Sequence, residues 1–169
     1  MYRDETETMA MTDGAPRETD HAGVLMPPPL IYLGFIGLGV AFHTVVPLRL
    51  GLGWPGRGLG IVLIALAAGL GFWAINQFRR AKTNVVPHKP VTAIITEGPF
   101  RWTRNPLYIG LALIHAGIAL IVDSGWILIM LFPALIVVRY GVIAREERYL
   151  DAKFGDVYRA YKASVRRWI

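Results

Sequence analysis

The stretch from Thr83 to Gly110, TNVVPHKPVTAIITEGPFRWTRNPLYIG, divides the apolar part of the chain into two halves. It contains four of the 11 prolines and a Gly98-Pro99 turn signal. Proline and glycine at this density favour turns and extended chain over regular helix. We therefore expect an irregular linker that ends where a new helix begins at Pro106, because proline is favoured at the first position of a helix.

Four apolar blocks flank this linker and dominate the chain. The 169 residues are 54% hydrophobic, with a mean hydropathy of +0.42, which is too apolar for an ordinary soluble domain. Each block has about the length that a helix needs to cross a hydrocarbon core. The pattern predicts an all-α integral membrane protein with about four transmembrane helices, at residues 30–48, 59–78, 107–122 and 126–143.

The chain begins with a polar segment, residues 1–28, that carries six acidic residues and two arginines without helical periodicity. It lacks the basic start and the short apolar core of a signal peptide. We predict a disordered acidic tail here, followed by one membrane domain over residues 29–169.

The distribution of basic residues predicts the orientation in the membrane. With four spans, 16 of the 18 Lys and Arg residues fall on one side, which the positive-inside rule assigns to the cytoplasm. Both termini and the linker are then cytoplasmic. The net charge of +6 is explained by this bias and by anionic lipid, so no nucleic-acid partner is predicted.

The C-terminal residues 144–169 mix charged and aromatic side chains. Phe154, Tyr158 and Tyr161 are spaced by four and three residues, so on one helix they would share a face. This spacing predicts an amphipathic helix that lies on the membrane surface.

Polar residues next to the spans are the candidates for chemistry. Arg104 and Asn105 precede the helix start at Pro106, where free backbone N–H groups attract carboxylates and phosphates. Glu146 and Glu147 follow the last span and provide carboxylates at the membrane edge. A capped helix with a snorkelling arginine, and solvated local ion pairs, are the simpler interpretations of these two features.

Metal binding is not predicted. The chain has no cysteine, which excludes disulfides and thiolate ligands. His43 and His115 fall on different spans without a further ligand pattern, so we expect hydrogen bonds between helices instead. No role is assigned to His88 in the linker.

The ordered motifs of this chain resemble the superfamily of isoprenylcysteine carboxyl methyltransferases and phospholipid methyltransferases, which are integral membrane enzymes. The motifs are Thr96-x-Gly98-Pro99-Phe100, Arg104-Asn105-Pro106-Leu107-Tyr108-x-Gly110, Glu146-Glu147 and Phe154-Gly155-x-x-Tyr158. The upstream Thr83-Asn84-x-x-Pro87-x-x-Pro90 resembles bacterial members, which implies a bacterial inner-membrane location.

The resemblance implies methyl transfer from S-adenosylmethionine, bound at the cytoplasmic face, to a lipophilic acceptor with a carboxylate or an amine. The acceptor would be a lipid or a prenylated small molecule. Carried over from the family, the cofactor-binding residues are Ala93, Ile94, Ile95, Phe100, Arg104, Asn105, Pro106, Leu107, Tyr108, Glu146 and Glu147.

This sequence departs from the family pattern at several positions. Phe100 takes the place of a tyrosine, and Asn105 the place of a frequent histidine. Arg139, about two turns before Glu146, is the candidate catalytic residue that orients the substrate, although its spacing to Glu146 does not match the family. Two alternatives stay open: a reductase similar to sterol reductases that uses NADPH, and a membrane protein without enzymatic activity.

Overall fold

The computed structural model describes residues 23–24, 26–83 and 91–168. These residues form the α-helices α1 (Pro28–Val45), α2 (Gly53–Arg80), α3 (Pro106–Val122), α4 (Gly125–Val138), α5 (Ala144–Phe154) and α6 (Asp156–Ser164). A short 3₁₀ helix, Gly98–Arg101, lies in the linker, and a π-helical turn, Arg139–Ile143, joins α4 to α5. No strand forms within the described ranges, and the predicted all-α class is confirmed.

Three helical stretches are long and apolar enough to cross a membrane: α1, α2 and the continuous run Gly125–Phe154, whose apolar part ends near Ile143. α3 is apolar but shorter, with 17 residues. Large apolar side chains point outward from these helices, among them Phe72, which is 73% exposed, and Ile61, which is 61% exposed. Such surfaces are stable against lipid and not against water, and the protein is an integral membrane protein.

The helix boundaries differ from the predicted spans by a few residues. α1 covers residues 28–45 rather than 30–48, and α2 covers residues 53–80 rather than 59–78. α2 begins earlier because Pro55 falls in its first turn, where a missing backbone N–H costs nothing. α3 begins at Pro106 as predicted.

The helices pack as two pairs, α2 against α3 and α1 against α4, and α3 also contacts α4. α2 and α3 approach most closely at Gly60 and Gly117. A Cβ built on Gly117 would lie 2.7 Å from the Gly60 carbonyl oxygen, so side chains are excluded here. Small residues permit such close backbone contact between membrane helices, where burial of apolar surface provides little driving force.

The hairpin between α3 and α4 closes one end of the bundle. Asp123 adopts a left-handed conformation, and the Ser124 hydroxyl accepts a hydrogen bond from the Ile127 N–H as the N-cap of α4. The loop between α1 and α2 is tied to this turn, since the Gly51 N–H donates to Asp123 Oδ1 at 2.9 Å. The linker, α5 and α6 therefore lie together at the opposite end, as the alternating direction of the helices requires.

One of the predicted hydrogen bonds between helices is present. His115 on α3 is fully buried, and its Nε2 lies 2.8 Å from the Ile127 carbonyl oxygen on α4. For His43, the Nδ1 atom is buried without a hydrogen-bond partner, so this atom does not make the predicted bond. His88 lies outside the described residues.

The predicted acidic tail is described only at its end, since residues 1–22 and 25 lie outside the described ranges. Val24 is buried in the cluster formed by α1, α3 and α4. Arg145 Nη1 donates a hydrogen bond to the Gly23 carbonyl oxygen at 2.9 Å. The chain just before α1 is thus held against the start of α5.

The C-terminal amphipathic region forms two helices rather than the single helix predicted. Gly155 has a φ of +54°, a conformation that glycine adopts readily, and this residue ends α5 after Phe154. Tyr158 and Tyr161 therefore lie on a different helix from Phe154. Both tyrosines are buried against protein and do not form a membrane-facing surface.

Candidate functional site

A cavity of about 140 Å³ lies where the linker meets α3, α5 and α6. A water molecule needs roughly 10–15 Å³ on this measure, so the space is that of on the order of ten waters. This is far more than a structural water requires, and it is large enough for part of a small-molecule ligand. The walls are mainly apolar and aromatic, with a few charged groups, which is the usual character of a ligand site.

All the residues that sequence comparison placed at a cofactor site line this one cavity. They come from three separate parts of the chain: Ala93, Ile94 and Ile95; Phe100, Arg104, Asn105, Pro106, Leu107 and Tyr108; Glu146 and Glu147. The structure brings these parts together, and their binding of a cofactor stays a prediction. The stretch 91–96 is irregular and forms no strand.

Six further residues line the cavity and were not predicted as binding residues. They are Phe78, Val91, Tyr149, Leu150, Tyr158 and Tyr161. Tyr161 also donates a hydrogen bond to the Phe100 carbonyl oxygen at 2.8 Å, which fixes α6 against the 3₁₀ helix. The spacing of Tyr158 and Tyr161 was visible in the sequence, but it was interpreted as part of a membrane-facing pattern.

Glu146 and Tyr108 form the most direct polar contact in the cavity. The Tyr108 hydroxyl donates to Glu146 Oε1 at 2.6 Å, and the Tyr32 hydroxyl donates to the Tyr108 carbonyl oxygen at 3.2 Å. Burial raises the pKa of Glu146 to about 7; the hydrogen bond from Tyr108 lowers it, and the nearby charge of Glu147 raises it. Near neutral pH this carboxyl is therefore poised between its neutral and charged forms.

Glu147 has a different environment, because both of its oxygens are held by arginines. Arg167 binds it with two contacts, Nε to Oε1 at 3.0 Å and Nη2 to Oε2 at 2.7 Å. Arg104 Nη2 lies 3.2 Å from Oε1. The two neighbouring residues therefore differ: Glu146 lines the cavity and accepts from Tyr108 through Oε1, whereas Glu147 is the centre of a buried ion-pair cluster.

Arg104 is nearly buried, with a side-chain exposure of 9%, and it lines the cavity. Its Nε and Nη1 are buried without a hydrogen-bond partner. Buried donors of this kind are rare and expensive in folded proteins. The Arg104 side chain therefore lines the cavity and carries two buried donors without a partner.

The start of α3 is held by contacts other than a side-chain cap. Asn105 occupies the N-cap position, but its side-chain amide donates to the Arg167 carbonyl oxygen at 2.9 Å. The Thr103 hydroxyl instead accepts from the Asn105 N–H at 3.1 Å. These contacts fix the loop that carries Arg104 into the cavity.

Arg139 lies outside the cavity, on a groove of about 460 Å³ between α3 and α4. The groove is lined by apolar side chains, and Arg139 and Trp168 are its polar or amphipathic members. Residues seven apart share a face of a regular α-helix, but the wider π-helical turn at Arg139–Ile143 changes this register before Glu146. Arg139 and Glu146 consequently line different spaces, and a catalytic role for Arg139 stays a prediction.

A comparison with known protein families assigns the chain to one of them. Residues 56–157, which extend from α2 into α6, match the family described as phospholipid methyltransferase. The chain belongs to the phospholipid methyltransferase family. The predicted resemblance is thereby confirmed, and membership implies methyltransferase activity. Both sides of the cavity, the linker and the start of α5, fall within the matched residues.

This chain is also similar in sequence to an uncharacterized protein of Haemophilus influenzae. The two chains are 50% identical over 44 residues, which cover 26% of this chain and 67% of the relative. No solved structure matches the chain.

Proposed function

We propose that this protein transfers a methyl group from S-adenosylmethionine to a lipophilic acceptor held in the membrane. The observation that supports this most is the pairing of charges in the cavity. One carboxylate, Glu146, and one arginine with unused donors, Arg104, face a space whose other walls are apolar and aromatic. A ligand with a zwitterionic amino-acid end and a flat heterocyclic end has this same distribution of groups.

The two ends of the cofactor have suitable partners. Glu146 would bind the ammonium group, since its second oxygen is not used by Tyr108. Phe78, Phe100 and the backbone of residues 93–95 would surround the adenine, where ring faces and free peptide groups can recognise a purine edge. S-adenosylmethionine, when bound, supplies an electrophilic methyl group on a sulfonium.

The protein's task in this reaction is to position the reactants and exclude water. Methyl transfer from a sulfonium needs little acid–base assistance, so alignment of donor and acceptor provides most of the rate enhancement. Burial of Tyr108 and Phe100 at the cavity wall provides an environment from which water is displaced.

The acceptor is proposed to approach from the groove between α3 and α4. Its walls, including Leu131, Leu135 and Ile109, suit an acyl or prenyl chain, and Arg139 at its end suits an anionic head group. The acceptor would be a lipid or a prenylated small molecule whose methylated atom belongs to a carboxylate or an amine.

We propose the bacterial inner membrane as the location, with both termini and the cavity on the cytoplasmic side. The support is the distribution of charge, with 16 of 18 Lys and Arg residues on the side of the linker and the C-terminal helices. The described N-terminal residues and α5 lie at this same end of the bundle, since Arg145 binds Gly23.

The proposed function is tested by calorimetric titration of S-adenosylhomocysteine into the detergent-purified protein, with NADPH as the parallel ligand. We expect S-adenosylhomocysteine to bind in the micromolar range and NADPH not to bind. Binding of NADPH alone would place the protein among membrane reductases. Binding of neither ligand would favour a membrane protein without this enzymatic activity.

The affinity for S-adenosylhomocysteine is expected to rise with pH up to about 7 and then to level off. The pKa of Glu146 is raised to about 7, so below this pH the carboxyl is neutral and must lose a proton to bind the ligand ammonium. Below pH 7, each further drop of one pH unit therefore weakens the binding of S-adenosylhomocysteine by about tenfold. Titrations over a range of about three pH units, centred near pH 7, measure this dependence.

Tyr108→Phe provides the matched variant for this prediction. The hydrogen bond from Tyr108 lowers the pKa of Glu146, so its removal moves the midpoint of the binding curve to higher pH. An affinity that is the same at pH 6 and pH 8 in the native protein would contradict the role given to Glu146.

A further inference from the structure

We infer that Arg167, in the segment after α6, is a positioning residue that aims Arg104 at the carboxylate of the cofactor through Glu147. This inference rests on the proposed function and adds to it the recognition of one particular group. The segment Arg166–Trp168 acts as a clasp that holds the carboxylate-binding arginine in place, and we call it the C-terminal clasp.

The geometry of the three charged side chains supports this assignment. Arg167 contacts both oxygens of Glu147, which fixes the plane of the carboxylate. Arg104 then uses only Nη2 on Glu147 Oε1, at 3.2 Å. The remaining face of the Arg104 guanidinium, with Nε and Nη1, is left beside the cavity without a partner.

The charges in this cluster do not balance. Arg104 and Arg167 contribute two positive charges and Glu147 contributes one negative charge. Arg104 and Glu147 are nearly buried, with side-chain exposures of 9% and 8%, so water screens the Arg104 charge poorly, whereas Arg167 is 29% exposed. Glu146, which lines the same cavity, is assigned above to the ligand ammonium. A ligand carboxylate would neutralise the cluster and use the two free donors.

The backbone of the C-terminal clasp holds the same loop from a second direction. The Arg166 carbonyl oxygen accepts from the Arg104 N–H at 3.0 Å. The Arg167 carbonyl oxygen accepts from the Thr103 hydroxyl at 3.2 Å and from the Asn105 amide at 2.9 Å. Three successive residues of the loop are thus bound by two carbonyl groups of the clasp.

Trp168 anchors the far end of the clasp. Its side chain packs against the apolar cluster of α1, α3 and α4 and lines the groove that also contains Arg139. The clasp therefore contacts residues of the cavity through Arg167 and lines the groove through Trp168. A segment held at both ends can keep Arg104 in one orientation while a ligand enters.

A merely structural ion pair would explain these contacts less well. Buried ion pairs contribute little net stability, because desolvation of the charges offsets their attraction. A structural cluster would also be expected to use the donors it buries, whereas two donors of Arg104 are unused. The combination of an excess charge and free donors at a cavity wall indicates an anionic ligand group.

The test compares two ligands that differ by one carboxylate: S-adenosylhomocysteine and its decarboxylated analogue. Calorimetry on the full-length protein gives the ratio of their affinities. We expect the native protein to prefer S-adenosylhomocysteine by about 10–100-fold, the range of a charge-assisted hydrogen-bond pair. Arg104→Met and Arg167→Met are each expected to reduce this ratio to near one.

Two controls separate positioning from folding. Arg148→Met removes an exposed arginine that directly follows Glu147 in sequence, and it should leave the ratio unchanged. The double variant of Arg104→Met with Arg167→Met should show no greater loss than either change alone, because both act on one interaction. Arg167→Lys, which cannot make the bidentate contact with Glu147, should retain only part of the preference for S-adenosylhomocysteine.

Two results would overturn the inference. In the first, Arg167→Met leaves the ratio as in the native protein. In the second, it weakens both ligands equally, as expected if Arg167 only supports folding. Failure of the native protein to bind S-adenosylhomocysteine would instead overturn the proposed function, and this outcome is seen before any variant is compared.

Discussion

Glu146→Gln is expected to weaken the binding of S-adenosylhomocysteine at least about 100-fold while leaving the helical bundle folded. Removing one partner of a buried charge pair typically costs about 3–5 kcal/mol, which corresponds to two or more decades in affinity. Glutamine keeps the shape of the side chain and can still accept a hydrogen bond from Tyr108. What it removes is the negative charge that the ligand ammonium requires.

The variant is expected to fold because the native protein already disfavours the charged form of this residue. Burial raises the pKa of Glu146, so the neutral carboxyl is the form that the folded structure accommodates most easily. Glutamine resembles that neutral form. We therefore expect a melting temperature in detergent close to that of the native protein.

Glu97→Gln is the matched control. Glu97 lies in the linker, which forms another wall of the cavity, and it is exposed, so loss of its charge should change the affinity by less than about twofold. The assignment of Glu146 fails if Glu146→Gln binds S-adenosylhomocysteine as tightly as Glu97→Gln does, at a pH above 7 where Glu146 is ionised.

Gly117→Val is expected to lower the melting temperature in detergent by about 5 °C or more, because it separates α2 from α3. The Cβ that it adds would lie 2.7 Å from the Gly60 carbonyl oxygen and 2.7 Å from Ile64 Cγ1. A backbone carbonyl cannot move aside as a flexible side chain can. Overpacking of this kind costs about 1–3 kcal/mol, and more where backbone must shift.

The consequence should extend to the cavity, because α2 and α3 both contribute to its walls. Phe78 lies at the end of α2 and Tyr108 at the start of α3, so a wider spacing between these helices moves two lining residues apart. We expect weaker binding of S-adenosylhomocysteine together with the lower melting temperature.

Gly69→Val makes the same substitution on α2 at a place where an added Cβ meets nothing within 4 Å. It controls for the change in helix propensity from glycine to valine and for the added apolar surface. Equal melting temperatures for Gly117→Val and Gly69→Val would show that the close contact at Gly60 does not hold the pair together.

Much of the fold could be predicted because its signals are local. Runs of apolar residues, Pro106 at a helix start and the Asp123-Ser124-Gly125 turn each act through neighbouring residues of the chain. Gly155 was also a visible signal, since a glycine followed by Asp156 is typical of one helix ending and another beginning. The regular spacing of Phe154, Tyr158 and Tyr161 masked it and led to a single predicted helix.

Most of the residues that line the cavity were predicted, but the contacts among them were not. The family resemblance indicated which residues would gather around the cavity, because it carried them over as a set. The same role was predicted for Glu146 and Glu147, while the structure shows different partners for each. Only the fold brings Arg167, 20 residues away from Glu147, to its carboxylate.

By itself the sequence determined the membrane class, the turns, the linker and the set of residues at one end of the bundle, because hydropathy and backbone preferences depend on neighbours along the chain. The tertiary structure decided which carboxylate is free, which face α6 buries and that Arg139 lines a separate groove. Those outcomes depend on which distant side chains meet, and on a π-helical turn that changes the register between α4 and α5. Contacts of this kind follow from packing in three dimensions, which no local pattern specifies.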